Sequence, residues 1–265
     1  MNSPVFLRIL KSEWLKTKRS PGRWMIFIIP VLTAMIFIWY FSKLTLSNDI
    51  QVKIYQSFFE FWTALVIPVG TGVLAGLIVQ QEEFAGNFIA LLGSPFSRTS
   101  HYLGKLVILI LQTIVSSMSA VFSLLCGLKL FLEIDVPYSH FLLAVLTTEA
   151  GLLPLLALHL WIGMAYGFGA AIGLGSGGVI LAALVGATSL GNKIWPFVPW
   201  AWPVRLSLMP GHFFPGMDLP TSITSLTFFW HQTLMSVVLS ALLFVFLVTG
   251  GSIWFNKWEG RKIPD

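Results

Sequence analysis

Charge is what this 265-residue sequence has least of. Asp, Glu, Lys and Arg make up 10% of it, against 56% hydrophobic residues and a mean hydropathy of +0.82. A soluble domain of this size carries about a quarter charged residues, because its surface must face water. So little charge excludes a water-soluble fold and makes lipid part of the solvent. Cysteine is almost missing too. Cys126 stands alone inside an apolar run, which excludes an intramolecular disulfide and a cysteine-based metal cluster. Neither a His-Glu-x-x-His run nor a Walker phosphate loop occurs, so this chain has no route to zinc proteolysis of that type or to P-loop ATP hydrolysis. No cofactor, no metal and no catalytic residue is expected, and an ATP-driven function needs another chain.

What is present is long apolar runs with cations at their edges. A helix crosses a bilayer in about 20 apolar residues. On that scale six transmembrane helices are expected, at about residues 24–41, 61–79, 102–132, 142–165, 170–190 and 233–255. The fourth and fifth come from one run too long for a single helix, and the glycines from Gly163 to Gly178 supply a turn near 166–170. Six cations (Arg8, Lys11, Lys16, Lys18, Arg19, Arg23) precede the first span. With six spans and the N-terminus inside, eleven of the 16 lysines and arginines fall on the inner side. That bias predicts cytoplasmic termini and a multi-pass protein of the cell membrane. No aromatic–basic platform accompanies the cations, so nucleic acid is not an expected partner.

Residues 4–19 read as an amphipathic helix lying along the membrane, with Phe6, Leu10, Trp14 and Thr17 on one stripe. It is either a plain anchor or a lever on the first span. Residues 80–98 read as a short cytoplasmic helix between spans two and three. Phe84, Phe88 and Leu91 are spaced to share one face, Glu82 and Glu83 stand at its start, and Gly93 and Pro95 end it. Such a helix suits docking into a partner's groove. Glu149 and His159 are ionisable residues inside span four; each is a candidate for a substrate path or a satisfied polar group of the bundle. Gly72 and Gly76, and Gly169, Gly173 and Gly177, have the small-xxx-small spacing of close helix packing, within the chain or at a dimer seam. The tryptophans 195, 200, 202 and 230 suit the headgroup layer around a re-entrant segment, and an outer gate is the other reading.

The run Glu82/Glu83–Gly86–Leu91–Leu92–Pro95–Arg98, completed by Gly104 and Lys105, resembles the loop after the second helix of ABC-2-type exporter permeases. Asn87 stands where threonine is usual. The opening Ser12–Glu13–Trp14–Leu15–Lys16–Thr17–Lys18–Arg19–Ser20 is similar to that of the permeases that give bacteria immunity to lantibiotics. The resemblance implies an all-α integral membrane protein with six transmembrane helices, an N-terminal amphipathic interfacial helix and a cytoplasmic coupling helix. It implies separate ABC ATPase subunits docked on the inner loops through Glu82, Glu83, Phe84, Gly86, Phe88, Leu91 and Arg98. A second permease, identical or paralogous, is implied as well, with an amphipathic antimicrobial peptide expelled from the bilayer. A membrane scaffold or an intramembrane enzyme is the alternative.

Overall fold

In lipid a chain can satisfy its backbone hydrogen bonds within one segment only by becoming helical. The computed structural model describes residues 3–18, 20–44, 50–214 and 226–260, and the described residues contain no strand. In chain order they form α1 (Ser3–Thr17), α2 (Pro21–Phe41), α3 (Ile50–Phe84), the short α4 (Ile89–Leu92), α5 (Arg98–Phe131), α6 (Tyr138–Tyr166), α7 (Phe168–Gly186), α8 (Ala201–Leu208) and α9 (Leu226–Lys257). Six of these are long and apolar enough to cross a membrane: α2, α3, α5, α6, α7 and the Trp230–Lys257 part of α9. The chain is an all-α integral membrane protein. Of the cations in the charge bias, Arg19, Arg261 and Lys262 lie outside the described residues.

Local chemistry sets the helix ends. The Ser20 hydroxyl caps α2 by accepting from the Gly22 N–H at 3.2 Å, and Pro21 takes the first helical position, where no donor is needed. Ser97 caps α5 in the same way, accepting from the Ser100 N–H. Gly167, at φ +96°, is the single residue between α6 and α7; a side chain would be strained there.

The second span is longer than its hydropathy suggests. It begins at Ile50 rather than near residue 61, because Ile54, Tyr55, Phe58 and Phe59 all bury while Lys53 stays exposed. A π turn at Trp62–Val66 joins this half to Ile67–Phe84, with the Ile67 N–H bonded to the Trp62 carbonyl. A second π turn, Ala182–Gly186, ends α7.

α6 is the central helix, with α3, α5, α7, α8 and α9 packed around it. Residues 189–214, including α8, fold into one end of the bundle. Gly151 and Gly178 make room for them: a Cβ at Gly151 would lie 3.0 Å from Pro203 N, and one at Gly178 2.0 Å from Trp200 Nε1. The Tyr55 hydroxyl donates to the Ser207 carbonyl at 2.7 Å. This corrects the reading of a four-tryptophan headgroup belt. Trp195 and Trp202 are core residues, donating through Nε1 to Gln232 Oε1 and the Pro196 carbonyl; Trp230 is exposed. Arg205 closes the end of α7 by donating to the Val185 and Thr188 carbonyls.

The glycine stripes divide. Gly72 and Gly76 sit where α3 meets α7: added Cβ atoms would lie 2.6 Å from the Ala171 carbonyl oxygen and 2.7 Å from the Phe168 ring. Gly169, Gly173 and Gly177, taken above as packing glycines, have nothing within 4 Å of an added Cβ. The residues of α7 that face α3 are instead Phe168, Ala171 and Gly175. At about 100° per residue these fall on one side of the helix and the 169–173–177 row on the other.

Candidate functional site

α1 lies across the start of α5 and beside the end of α3, and Gly104 allows the close approach. A Cβ there would come within 2.9 Å of Ile9 Cγ2. This brings Glu13 and Lys16 of α1 to Glu82 of α3 and Lys105 of α5. Lys105, fully buried at 0% exposure, donates from Nζ to Glu13 Oε2 at 2.8 Å and to Glu82 Oε1 at 2.5 Å. Lys16 donates to Glu13 Oε1 at 2.8 Å and to the same Glu82 Oε1 at 2.5 Å. Two acids and two ammoniums thus close a charge-neutral ionic knot between three helices. Charges can be kept in such a place only when paired and hydrogen-bonded. Burial opposes the charge on Lys16, but Glu13 and Glu82 outweigh it and hold the ammonium above the ordinary lysine pKa.

Glu82 and Glu83 were alternatives for the acid of the loop motif; Glu82 is the one in the knot. Sequence reasoning singled out Glu82 and Lys105 without joining them to Glu13 and Lys16. Part of the signal was available: a lysine inside an apolar helix demands a carboxylate partner, without saying which.

Beyond Glu82 the expected single helix over residues 82–92 does not form. α3 ends at Phe84, and Gly86, Asn87 and Phe88 take positive φ of 115°, 50° and 66° before α4 begins. The N–H groups of Asn87 and Phe88 turn back to the Glu83 and Glu82 carbonyls. Asparagine adopts a left-handed backbone more readily than β-branched threonine, which gives a physical reason for Asn87. The break separates the three apolar residues taken to share one face. Phe88, at 1% exposure, packs edge-on against Trp258 with ring centroids 4.9 Å apart, and Leu91 is buried. Phe84 is 80% exposed, and its exposed neighbour across the turn is Ile89, at 75%. Arg98 ties down the far side of this corner, donating to the Asn256 and Trp258 carbonyls at 3.2 and 2.6 Å. Its guanidinium caps the C-terminal end of α9.

Deeper in the bundle, Glu149 is buried on α6 and faces α5. Thr113 Oγ1 lies 2.9 Å from Glu149 Oε2, and Ser117 Oγ lies 3.0 Å from Oε1. The Trp62 indole donates to Ser117 Oγ at 3.3 Å. A mainly apolar cavity of about 350 Å³ opens between α2, α3 and α5, with Trp62 and Thr113 in its wall. His159, fully buried on the same helix, is bonded separately, with Nδ1 2.7 Å from the Leu155 carbonyl.

A bundle of six membrane-length helices, fastened at one end by a buried ionic knot and an exposed apolar corner, defines a polytopic membrane protein. Residues 9–181, more than half of the chain, match the family described as ABC-2 family transporter protein. The chain belongs to that family, whose members are membrane components of ABC transporters. No curated protein and no solved structure matches it significantly.

Proposed function

We propose that this chain is the permease subunit of an ATP-driven exporter in a bacterial cell membrane, with its termini and the 84–98 corner in the cytoplasm. A separate ABC ATPase chain docks on that corner. The observation that carries this reading is the pair of large apolar side chains, Phe84 and Ile89, held exposed by a turn braced through Phe88, Arg98 and the knot. An exposed aromatic with a rigid base is the kind of anchor a partner's pocket buries. Burying one such side chain is worth roughly 1.5–3 kcal/mol, so losing both weakens docking by at least about a hundredfold. The double variant Phe84→Ala with Ile89→Ala should therefore insert normally and lose its ATPase on co-purification. Native recovery of the ATPase with the double variant would remove this reading.

A second permease, identical or paralogous, completes the assembly, and the open glycine row of α7 suits its seam. The substrate class we favour is an amphipathic antimicrobial peptide of the lantibiotic kind, taken up from the bilayer. The apolar cavity between α2, α3 and α5 suits its hydrophobic side, and Glu149, one hydroxyl behind the cavity wall, suits an amine. Glu149→Gln keeps the size and an acceptor but cannot ionise. We expect it to lower resistance to a cationic peptide severalfold at unchanged permease abundance. Wild-type resistance in that variant would take Glu149 out of the substrate path.

A further inference from the structure

The knot uses Glu13 and Lys16 of α1, and the cations of the helix extend from Lys16 onto its outer side. Arg8, Lys11, Lys16 and Lys18 border an open hollow of about 730 Å³, together with Ser12 and Leu15. A second hollow, of about 380 Å³ and almost wholly apolar, shares Lys11 and Leu15 with the first. It runs past Leu10 and Trp14 to Ile108 and Leu111 of α5. Trp14, Leu15 and Leu111 are all exposed, so this groove is continuous with the apolar wall that the bundle presents to the bilayer. The one acid of α1, Glu13, is turned inward onto Lys105 and Lys16 and does not offset the cationic hollow.

Arg8, Lys11 and Lys18, which lie outside the knot, stand beside a greasy groove at the level where a helix lies along the membrane, and match a molecule with a phosphate at one end and a hydrocarbon chain at the other. We propose that α1 and α5 form a binding site for an anionic phospholipid, with the phosphate on Lys11, Lys18 and Arg8 and one acyl chain along Leu10, Trp14 and Leu111. A zwitterionic lipid brings its own cation to the same place and gains less from the lysines. The site also reaches the knot. Lys16 borders the hollow and at the same time shares Glu82 Oε1 with Lys105. A bound phosphate draws on the ammonium of Lys16, while Lys105 alone retains both carboxylates. Lipid occupancy thereby adjusts how firmly α1 is held to the end of α3. This inference rests on α1 and stands independently of what the transporter carries.

The test is native mass spectrometry of the full-length protein released from detergent micelles doped with dioleoyl phosphatidylglycerol or dioleoyl phosphatidylcholine. The wild type should retain phosphatidylglycerol selectively. Lys11→Gln with Lys18→Gln, both at exposed positions, should weaken that retention at least about tenfold and leave phosphatidylcholine unchanged. Lys43→Gln with Lys53→Gln, at the other end of the bundle, should behave as wild type. Equal retention of the two lipids, or wild-type retention by the Lys11/Lys18 variant, would overturn the proposal. So would displacement of the lipid by millimolar inorganic phosphate, which would make the hollow a phosphate site without a lipid.

Discussion

Lys105→Ala is expected to be among the most damaging single substitutions in this protein. It removes the only fully buried cation of the knot and leaves Glu13 and Glu82 facing each other with Lys16 as their sole counter-charge. Breaking a buried ion pair by deleting one partner costs about 3–5 kcal/mol, because the remaining charge stays desolvated. In a protein of this size that corresponds to a fall on the order of 10 °C in the thermal midpoint. A midpoint measured on the purified variant in detergent tests this directly, and a wild-type value would mean that the knot contributes little to stability. Lys16→Ala should do much less, since Lys16 is 38% exposed and Lys105 still bonds both acids. Replacing the buried members together, Lys105→Met with Glu13→Leu and Glu82→Leu, should recover most of the stability, as whole-network replacements often do. If that stable variant no longer transmits ATPase action, the charges serve coupling; if it transports normally, they serve only the fold.

Gly175→Leu should be comparably severe, for a steric reason. A Cβ at position 175 would lie 2.3 Å from the Pro68 carbonyl oxygen, and backbone cannot move aside as a flexible side chain does. α3 and α7 must then separate along a contact that Gly72 and Gly76 also keep close. Overpacking of this kind costs about 1–3 kcal/mol even where repacking is available, and a Leu side chain exceeds that allowance. We expect the variant to be degraded or to aggregate on extraction, judged by size-exclusion chromatography of a fluorescent fusion. Gly173→Leu, half a turn away with nothing within 4 Å of its Cβ, is the matched control. It should fold as wild type, within about 0.5 kcal/mol. Should Gly173→Leu fold but lose dimers, the open row is the seam between permeases; monodisperse Gly175→Leu would show that α3 and α7 have slack.

Much of the architecture could be read before any coordinates, because lipid imposes one requirement that sequence displays directly: long runs without charge. The glycine-rich turn between α6 and α7 was legible for a similar reason, since a residue at φ +96° announces itself as glycine. The corner at 84–98 was misread because Phe84, Phe88 and Leu91 have helical spacing, and periodicity alone cannot show that a helix has stopped. The adjoining Gly86–Asn87 pair, a common turn signal, carried that information. The ion pairs of Glu13 and Lys16 were not legible as contacts, because only the tertiary fold lays α1 beside Lys105. Trp195 and Trp202 illustrate a real ambiguity: a tryptophan at a membrane edge and one in a protein core look alike in one dimension.

The π turn at Trp62–Val66 sets the angular phase of everything after it. Along α3 the buried residues step from Tyr55 to Phe59 to Trp62, then on to Ile67, Thr71, Ala75, Ile78 and Glu82. In that row every step is three or four residues except the one across the π turn, which is five; inside the turn Thr63 and Ala64 are buried as well. Without that additional residue, an unbroken α-helix would rotate its lower half by about 100°, and Glu82 would swing away from Lys105. The pairing at the knot is therefore timed by an insertion near the opposite half of the same helix. Deleting one residue between 62 and 66 would leave the composition of the span almost unchanged and its ionic partner out of reach.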